Sequence, residues 1–219
     1  MITAVHDYHP SEHRPGNRDV GVTTAEPEDV EQLSRVLAAA FYPSTFSRFL
    51  IPDEDDRRKI YPEYFRQAYV QPGVANAIVH RTADALACAV WLQLGDPDSY
   101  RPETDPEVDI ALRMLAGEYY SNFVEFDRLL DEAHAPYLST PHDFLDVVGA
   151  HPLVQRQGNL YQLMQARLPQ LDALGRGSYL EAAEPHLVPV YEKFGYRRTD
   201  TVIELPNGQM YPMWREPQR

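Results

Sequence analysis

One stretch limits this chain's fold more than any other. The mostly apolar run Phe144-Leu145-Asp146-Val147-Val148-Gly149-Ala150 leads into a short polar segment, His151 to Leu160, and a helical pattern from Tyr161 to Leu174 leads out. A strand, a tight loop holding Gly158 and then a helix aim free backbone N–H groups at whatever lies before the helix, which suits a phosphate. Such a unit needs a sheet on which its strand can pair and its helix can pack, which makes the chain an α/β protein.

The rest of the chain agrees. Val20 to Ala25 reads as a first strand, and Glu26-Pro27-Glu28-Asp29 places acids and a proline where a helix begins. Val30, Leu33, Val36, Leu37 and Ala40 follow at helical spacing. Residues 46–50 read as an aromatic loop, and 54–69 as a charged, aromatic helix. Two strands follow at 74–80 and 85–94, the second apolar enough to be central. Residues 95–106 read as a loop, and two helices are expected between 106 and 138. Gly175-Arg176-Gly177 suits a helix C-cap, and Ser178 to Ala182 a short strand. A short helix from Leu187 to Phe194 stops at Gly195, and a hairpin turns at Asn207-Gly208. This order lacks the regular alternation of a Rossmann sheet. Residues 1–20, with three histidines and two prolines, read as a flexible N-terminal arm, and 21–219 as a single domain. His9 and His13 have the spacing of two helical metal ligands, but Pro10 and Pro15 oppose a helix, so no metal is expected.

Composition narrows the function classes. At 219 residues the chain can bury one core, and its net charge of −13 opposes non-specific binding to a polyanion. No apolar run reaches about 18 residues, so no membrane span is expected. The start of the chain shows no secretory pattern, and the single cysteine, Cys88, sits in an apolar strand. These features lead us to expect a cytoplasmic protein.

Several motifs together resemble the GNAT acyltransferase superfamily, with puromycin N-acetyltransferase-like proteins the nearest likeness. They are Val148-Gly149-Ala150-His151-Pro152, the loop Gln155 to Leu160, the strand Tyr179-Leu180-Glu181-Ala182 and the helix end Tyr191-Glu192-Lys193-Phe194-Gly195-Tyr196. The likeness extends over about residues 20–216. It implies a mixed, mostly antiparallel sheet with a splayed central strand pair, flanked by helices. It also implies acetyl-CoA or another acyl-CoA as co-substrate, its pantetheine arm along Val148, Gly149 and Ala150 and its pyrophosphate on the amides of Gln155, Arg156, Gln157, Gly158, Asn159 and Leu160. Tyr191 matches the tyrosine that protonates the departing thiolate. Leu160 stands where the family loop has a small residue, and Leu187 where relatives carry asparagine, so the CoA loop reads as degenerate.

Other residues are candidates by their surroundings. Glu181 is a candidate base, and so is Glu125, because the neighbouring Phe123, Val124 and Phe126 would raise its pKa. Asp146, on an otherwise apolar strand, is a candidate for holding an amine, together with the aromatics Tyr120 and Phe41. His142 and His151 flank the strand and fit structural roles. Tyr191 also fits a packed aromatic on an amphipathic helix. The expected function is N-acyl transfer to the amine of a small molecule, a secondary metabolite or antibiotic. Two alternatives stand beside it: amide formation from aminoacyl-tRNA on a rim of Arg156, Arg167, Arg176, Arg197 and Arg198, and an inactive binding module. The molecule is expected to be a monomer or homodimer.

Overall fold

The computed structural model describes residues 2–4, 21–96, 99 and 106–218. Most of the N-terminal arm, including His9 and His13, and most of the loop expected at 95–106 lie outside the described residues.

In chain order the elements are β1 (Ile2–Ala4), β2 (Val22–Thr24), α1 (Val30–Phe41), α2 (Thr45–Leu50), α3 (Glu54–Phe65), α4 (Gln71–Asn76), β3 (Ile78–Thr82) and β4 (Ala87–Leu94). Then come α5 (Pro106–Ala116), α6 (Tyr120–His134), β5 (His142–Ala150), α7 (Asn159–Leu174), β6 (Gly177–Ala182), α8 (Val188–Glu192), β7 (Arg197–Arg198), β8 (Ile203–Leu205) and β9 (Gly208–Arg215). Among the described residues the sheet runs β2-β3-β4-β5-β6-β9-β7, with β1 added on β5 and β8 on β9. Among the described residues only the β5–β6 and β1–β5 pairs are parallel. This is the expected mixed, mostly antiparallel sheet.

Local chemistry explains the helix starts. A capping box joins Glu26 and Asp29, whose Oδ2 accepts from the Glu26 N–H at 2.9 Å just before α1. Asp53 caps α3 by accepting from Asp56 N–H at 2.9 Å, and three acids fill its first turn. Ser44 caps α2, so the aromatic loop expected at 46–50 is a helix that buries Phe46 and Leu50. A second correction concerns the strand expected from Val74. Helix continues to Asn76, because the segment from Arg66 extends α3 through a π-turn into α4, and β3 begins only at Ile78.

The central feature is an irregularity in β5. Val90 of β4 pairs with Val147 and Trp91 with Leu145, so Asp146 is an extra residue in the ladder. A bulge of this kind inverts the in–out alternation downstream. Asp143, before it, reaches Arg167 of α7. Gly149, after it, faces α1, where an added Cβ would lie 2.9 Å from Leu37 Cδ2 and 3.1 Å from Ala40 Cβ. The two faces of the sheet thus receive different helices. The main core contains Leu37, Phe41, Phe65, Val147 and Leu163, and a smaller cluster surrounds Phe144 and Tyr179.

Candidate active site

Strands β5 and β6 pair only from His142–Gly177 to Phe144–Tyr179, and beyond that point no ladder joins them. The pair splays there, and β5 continues into the loop and α7. A cleft of about 380 Å³ begins at Val148, Gly149 and Ala150 and passes the N-terminal turn of α7 to Lys193 and Phe194 after α8. That size and partly apolar lining suit a small organic ligand or one arm of a larger one.

The loop is shaped by two residues with left-handed backbone: Arg156 at φ 63° and Gly158 at φ 86°. Gly158 is the N-cap of α7, a 16-residue helix whose first amides have no intrahelical acceptor. Asn159 anchors the loop from within by donating to Val154 C=O at 2.7 Å, and Gln155 donates to Ala150 C=O at 3.2 Å. Arg156, Gly158, Asn159 and Leu160 all line the cleft. Gln157 does not; its amide donates to Leu153 C=O on the exposed side. A left-handed C-cap at Gly175 ends the helix, with Arg176 N–H donating to Leu171 C=O at 3.0 Å.

Rigid ion pairs hold the walls. The Asp143 carboxylate is fully buried and accepts from Arg167 Nε at 2.8 Å, Arg167 Nη2 at 2.6 Å and Arg176 Nε at 3.1 Å. Arg215 makes a forked contact with Asp172 at 2.8 and 2.7 Å and donates from Nε to Phe194 C=O at 2.8 Å. The short sequence spacings gave no sign of these contacts, because each joins elements far apart in the chain.

Three of the expected polar site residues are buried, and none of them is among the residues that line the described cleft. Glu181, on β6, is 1% exposed, and burial pushes its carboxyl up to about 7 despite the lowering influence of the Tyr179 hydroxyl. Tyr191, on α8, is fully buried; its hydroxyl finds no hydrogen-bond partner among the described residues, and burial raises its pKa well above the ordinary phenol value. Asp146, 2% exposed, is close enough to Tyr69 for its charge to raise that phenol further, after burial itself. Tyr69 in turn shares a hydroxyl contact of 2.9 Å with Tyr64. Sequence reasoning missed these two tyrosines because helical spacing makes any such aromatic look like core.

Other expected site residues lie elsewhere. Glu125 sits on the outer face of α6, half exposed and held by Arg128, whose hydrogen bond lowers its pKa. The apolar surroundings expected from Phe123 and Phe126 are absent, since those rings point inward. Tyr120 lies at the α5–α6 surface, with its hydroxyl on Asp109 and Arg113 4.4 Å over its ring. Phe41 is a core residue, stacked 5.3 Å from Phe65. His142 Nε2 shares a 2.8 Å contact with His134 Nε2, and its Nδ1 donates to Thr140 C=O at 2.6 Å. His151 accepts at Nδ1 from Leu153 N–H. Both contacts are structural in kind. Of the expected basic rim, Arg167 and Arg176 are committed to Asp143. Among the described residues no group of three or more His, Cys, Asp or Glu is placed to hold a metal, and no helix is long and apolar enough to cross a membrane.

Comparison with known proteins gives the fold a context. No family model matches the chain. An uncharacterised N-acetyltransferase of Schizosaccharomyces pombe is 25% identical over 203 residues, covering 88% of this chain and 82% of its own. An acetyltransferase structure from Corynebacterium glutamicum, described as histone acetyltransferase and related, superposes with a TM-score of 0.62 at 16% identity, over 90% of this chain and 96% of that one. The polyamine N-acetyltransferase of Drosophila melanogaster, which forms N-acetylagmatine, gives 0.58 at 14% identity, over 90% and 99%. The chain has the GNAT N-acetyltransferase fold.

Proposed function

We propose that the protein is an N-acyltransferase that moves an acyl group from acetyl-CoA, or another acyl-CoA, to the amine of a small molecule. The observation that carries this reading is the splay of β5 from β6, opening directly onto the left-handed N-cap of α7. The residues present fit such a donor. Loop amides and the helix N-terminus suit a pyrophosphate, Arg156 and Lys193 add positive charge at the cleft, and Val148, Gly149 and Ala150 of β5 lie along the cleft where a pantetheine arm would run. The degenerate look of Leu160 does not exclude this fit, because the loop's turn depends on Gly158 rather than on a small residue at 160.

A CoA thioester supplies an activated acyl carbon and a thiolate leaving group. Glu181, held near neutrality by burial, accepts the proton from the incoming ammonium or amine. Tyr191 keeps a proton at its hydroxyl for the departing sulfur, and that hydroxyl has no other partner among the described residues. Asp146 and the Tyr64–Tyr69 pair form a buried polar cluster whose chemistry suits a cationic amine. The relatives that act on polyamine-type substrates support an acceptor of that kind, and the likeness to puromycin N-acetyltransferase supports a larger amino-bearing natural product as the second choice. Aminoacyl-tRNA is the less favoured donor, given the −13 charge and the commitment of Arg167 and Arg176 to Asp143.

Calorimetric titration with acetyl-CoA, followed by thiol release with a panel of amines, tests the reading. Micromolar binding and amine-dependent thiol release are expected. Absence of binding to acetyl-CoA and to longer acyl-CoA thioesters would overturn it.

A further inference from the structure

Past Phe144, the edge of β5 that faces β6 would be bare. Over Val147 to Gly149 it is paired instead. Strand β1 runs parallel to it, with Ile2 opposite Val147, Thr3 opposite Val148 and Ala4 opposite Gly149. β1 also lies against β6. The chain's own N-terminal strand therefore fills the wedge between the diverging strands. The shape of the cleft gives an independent sign. Its lining starts at Val148–Ala150 and runs outward to α7 and α8, and β6 contributes none of the described lining residues. Its open part is the outer, phosphate-facing half, and the inner half is closed.

A strand edge offers a single series of N–H and C=O groups, so it can serve one extended occupant at a time. We propose that β1 is an intramolecular competitor for the inner half of the donor groove, docked in the wedge until an acyl-bearing pantetheine arm displaces it. This rests on the reading of the cleft as an acyl-CoA site. The consequence is quantitative. A ligand that binds only the undocked state has its apparent affinity reduced by the undocked fraction, so a strand docked nine-tenths of the time weakens binding about tenfold. Three paired residues form a short ladder, which suits a segment that must leave readily.

The test uses the full chain carrying Thr3→Pro. Proline removes an N–H from the middle of β1 and fits poorly inside a strand. A second full-length variant, Ile2→Gly with Thr3→Gly and Ala4→Gly, weakens the strand through chain entropy and guards against a folding defect peculiar to proline. Each is compared with the parent by calorimetry with acetyl-CoA and by hydrogen exchange of the peptide covering 144–151 without ligand. The expected result is acetyl-CoA binding tighter by about fivefold to tenfold, together with faster exchange over 147–149. Unchanged exchange in both variants would overturn the docking. Faster exchange with unchanged affinity would overturn the competition while leaving the donor reading intact. Faster exchange with no binding of acetyl-CoA or of longer acyl-CoA thioesters by any of the proteins would refute the donor reading, and the competition with it.

Discussion

Replacing Asp143 with asparagine should be the most damaging single change of one heavy atom in the molecule. The carboxylate is fully buried at the start of β5, where β5 and β6 are still paired, and accepts three N–H groups from Arg167 and Arg176. Asparagine keeps the shape, but its NH2 group faces a guanidinium, and its remaining oxygen cannot serve both arginines. The Arg167 side chain is only 5% exposed, so its charge would be left with no counterion. Removing one partner of a buried pair typically costs about 3–5 kcal/mol. Against a typical domain stability of about 5–15 kcal/mol this is a large share. With a urea m-value of about 3 kcal/mol/M, the unfolding midpoint should fall by about 1–1.7 M. Urea unfolding followed through Trp91, which is fully buried, reads this directly. The double change Asp143→Asn with Arg167→Met should recover much of the loss, since it removes the stranded charge. A loss below about 1 kcal/mol in the single variant would refute the argument, because it would mean that water or another group already neutralises Arg167.

Further changes separate catalysis from folding. Tyr191→Phe should lower turnover by about 100-fold or more while leaving acetyl-CoA affinity unchanged and stability equal or higher, since it removes a buried hydroxyl that has no partner among the described residues; unaltered turnover in the thiol-release assay would remove its acid role. Glu181 should give stability and activity opposite pH slopes. Its folded pKa is raised from 4.5 to about 7, so the native state binds the extra proton, and the stabilisation present below pH 4.5 is lost as pH rises to about 7. The change is on the order of 3 kcal/mol, while base-dependent turnover rises over the same window. Glu181→Gln should flatten both curves, and a parental pH profile in the variant would assign them to another group. Arg156→Gly should leave stability unchanged or raise it by up to about 1 kcal/mol, since it relieves a left-handed non-glycine residue. The same variant should weaken acetyl-CoA binding by about tenfold through loss of a cation at the cleft. Tighter binding would show that the side chain obstructs the donor.

The parts of the fold that follow from local chemistry were legible in the sequence. The long apolar strand at 142–150, the turn glycines Gly158 and Gly175 and the acidic helix starts each carry their own signal. Segments decided by longer-range packing were not. Residues 46–50 look like an exposed aromatic loop until Ser44 caps them and Phe46 stacks 5.5 Å from Phe126. Val74 to Asn76 has strand composition, yet it ends α4, which Gly73 lets pack close to Val90 and Val79. At the site, the loop that lines the cleft was placed through motif order, whereas Glu125, Tyr120 and Phe41 were misplaced because helical periodicity alone does not say which face meets the sheet. β1 has no sequence signal: three residues of ordinary strand propensity gain their place only from the gap that β5 and β6 leave between them.

The extra residue at Asp146 also makes the length of β5 inflexible. Before it the strand is fastened through Asp143 to α7, and after it through the bare Cα of Gly149 to α1, on opposite faces. Deleting one residue between these points would restore regular alternation and turn one of the two fastenings to the wrong side. Either the Asp143 carboxylate would leave its arginines, or a side chain would meet Leu37 and Ala40 where only glycine fits. The strand therefore tolerates exchange of side chains at many positions, but not a change of one in their number.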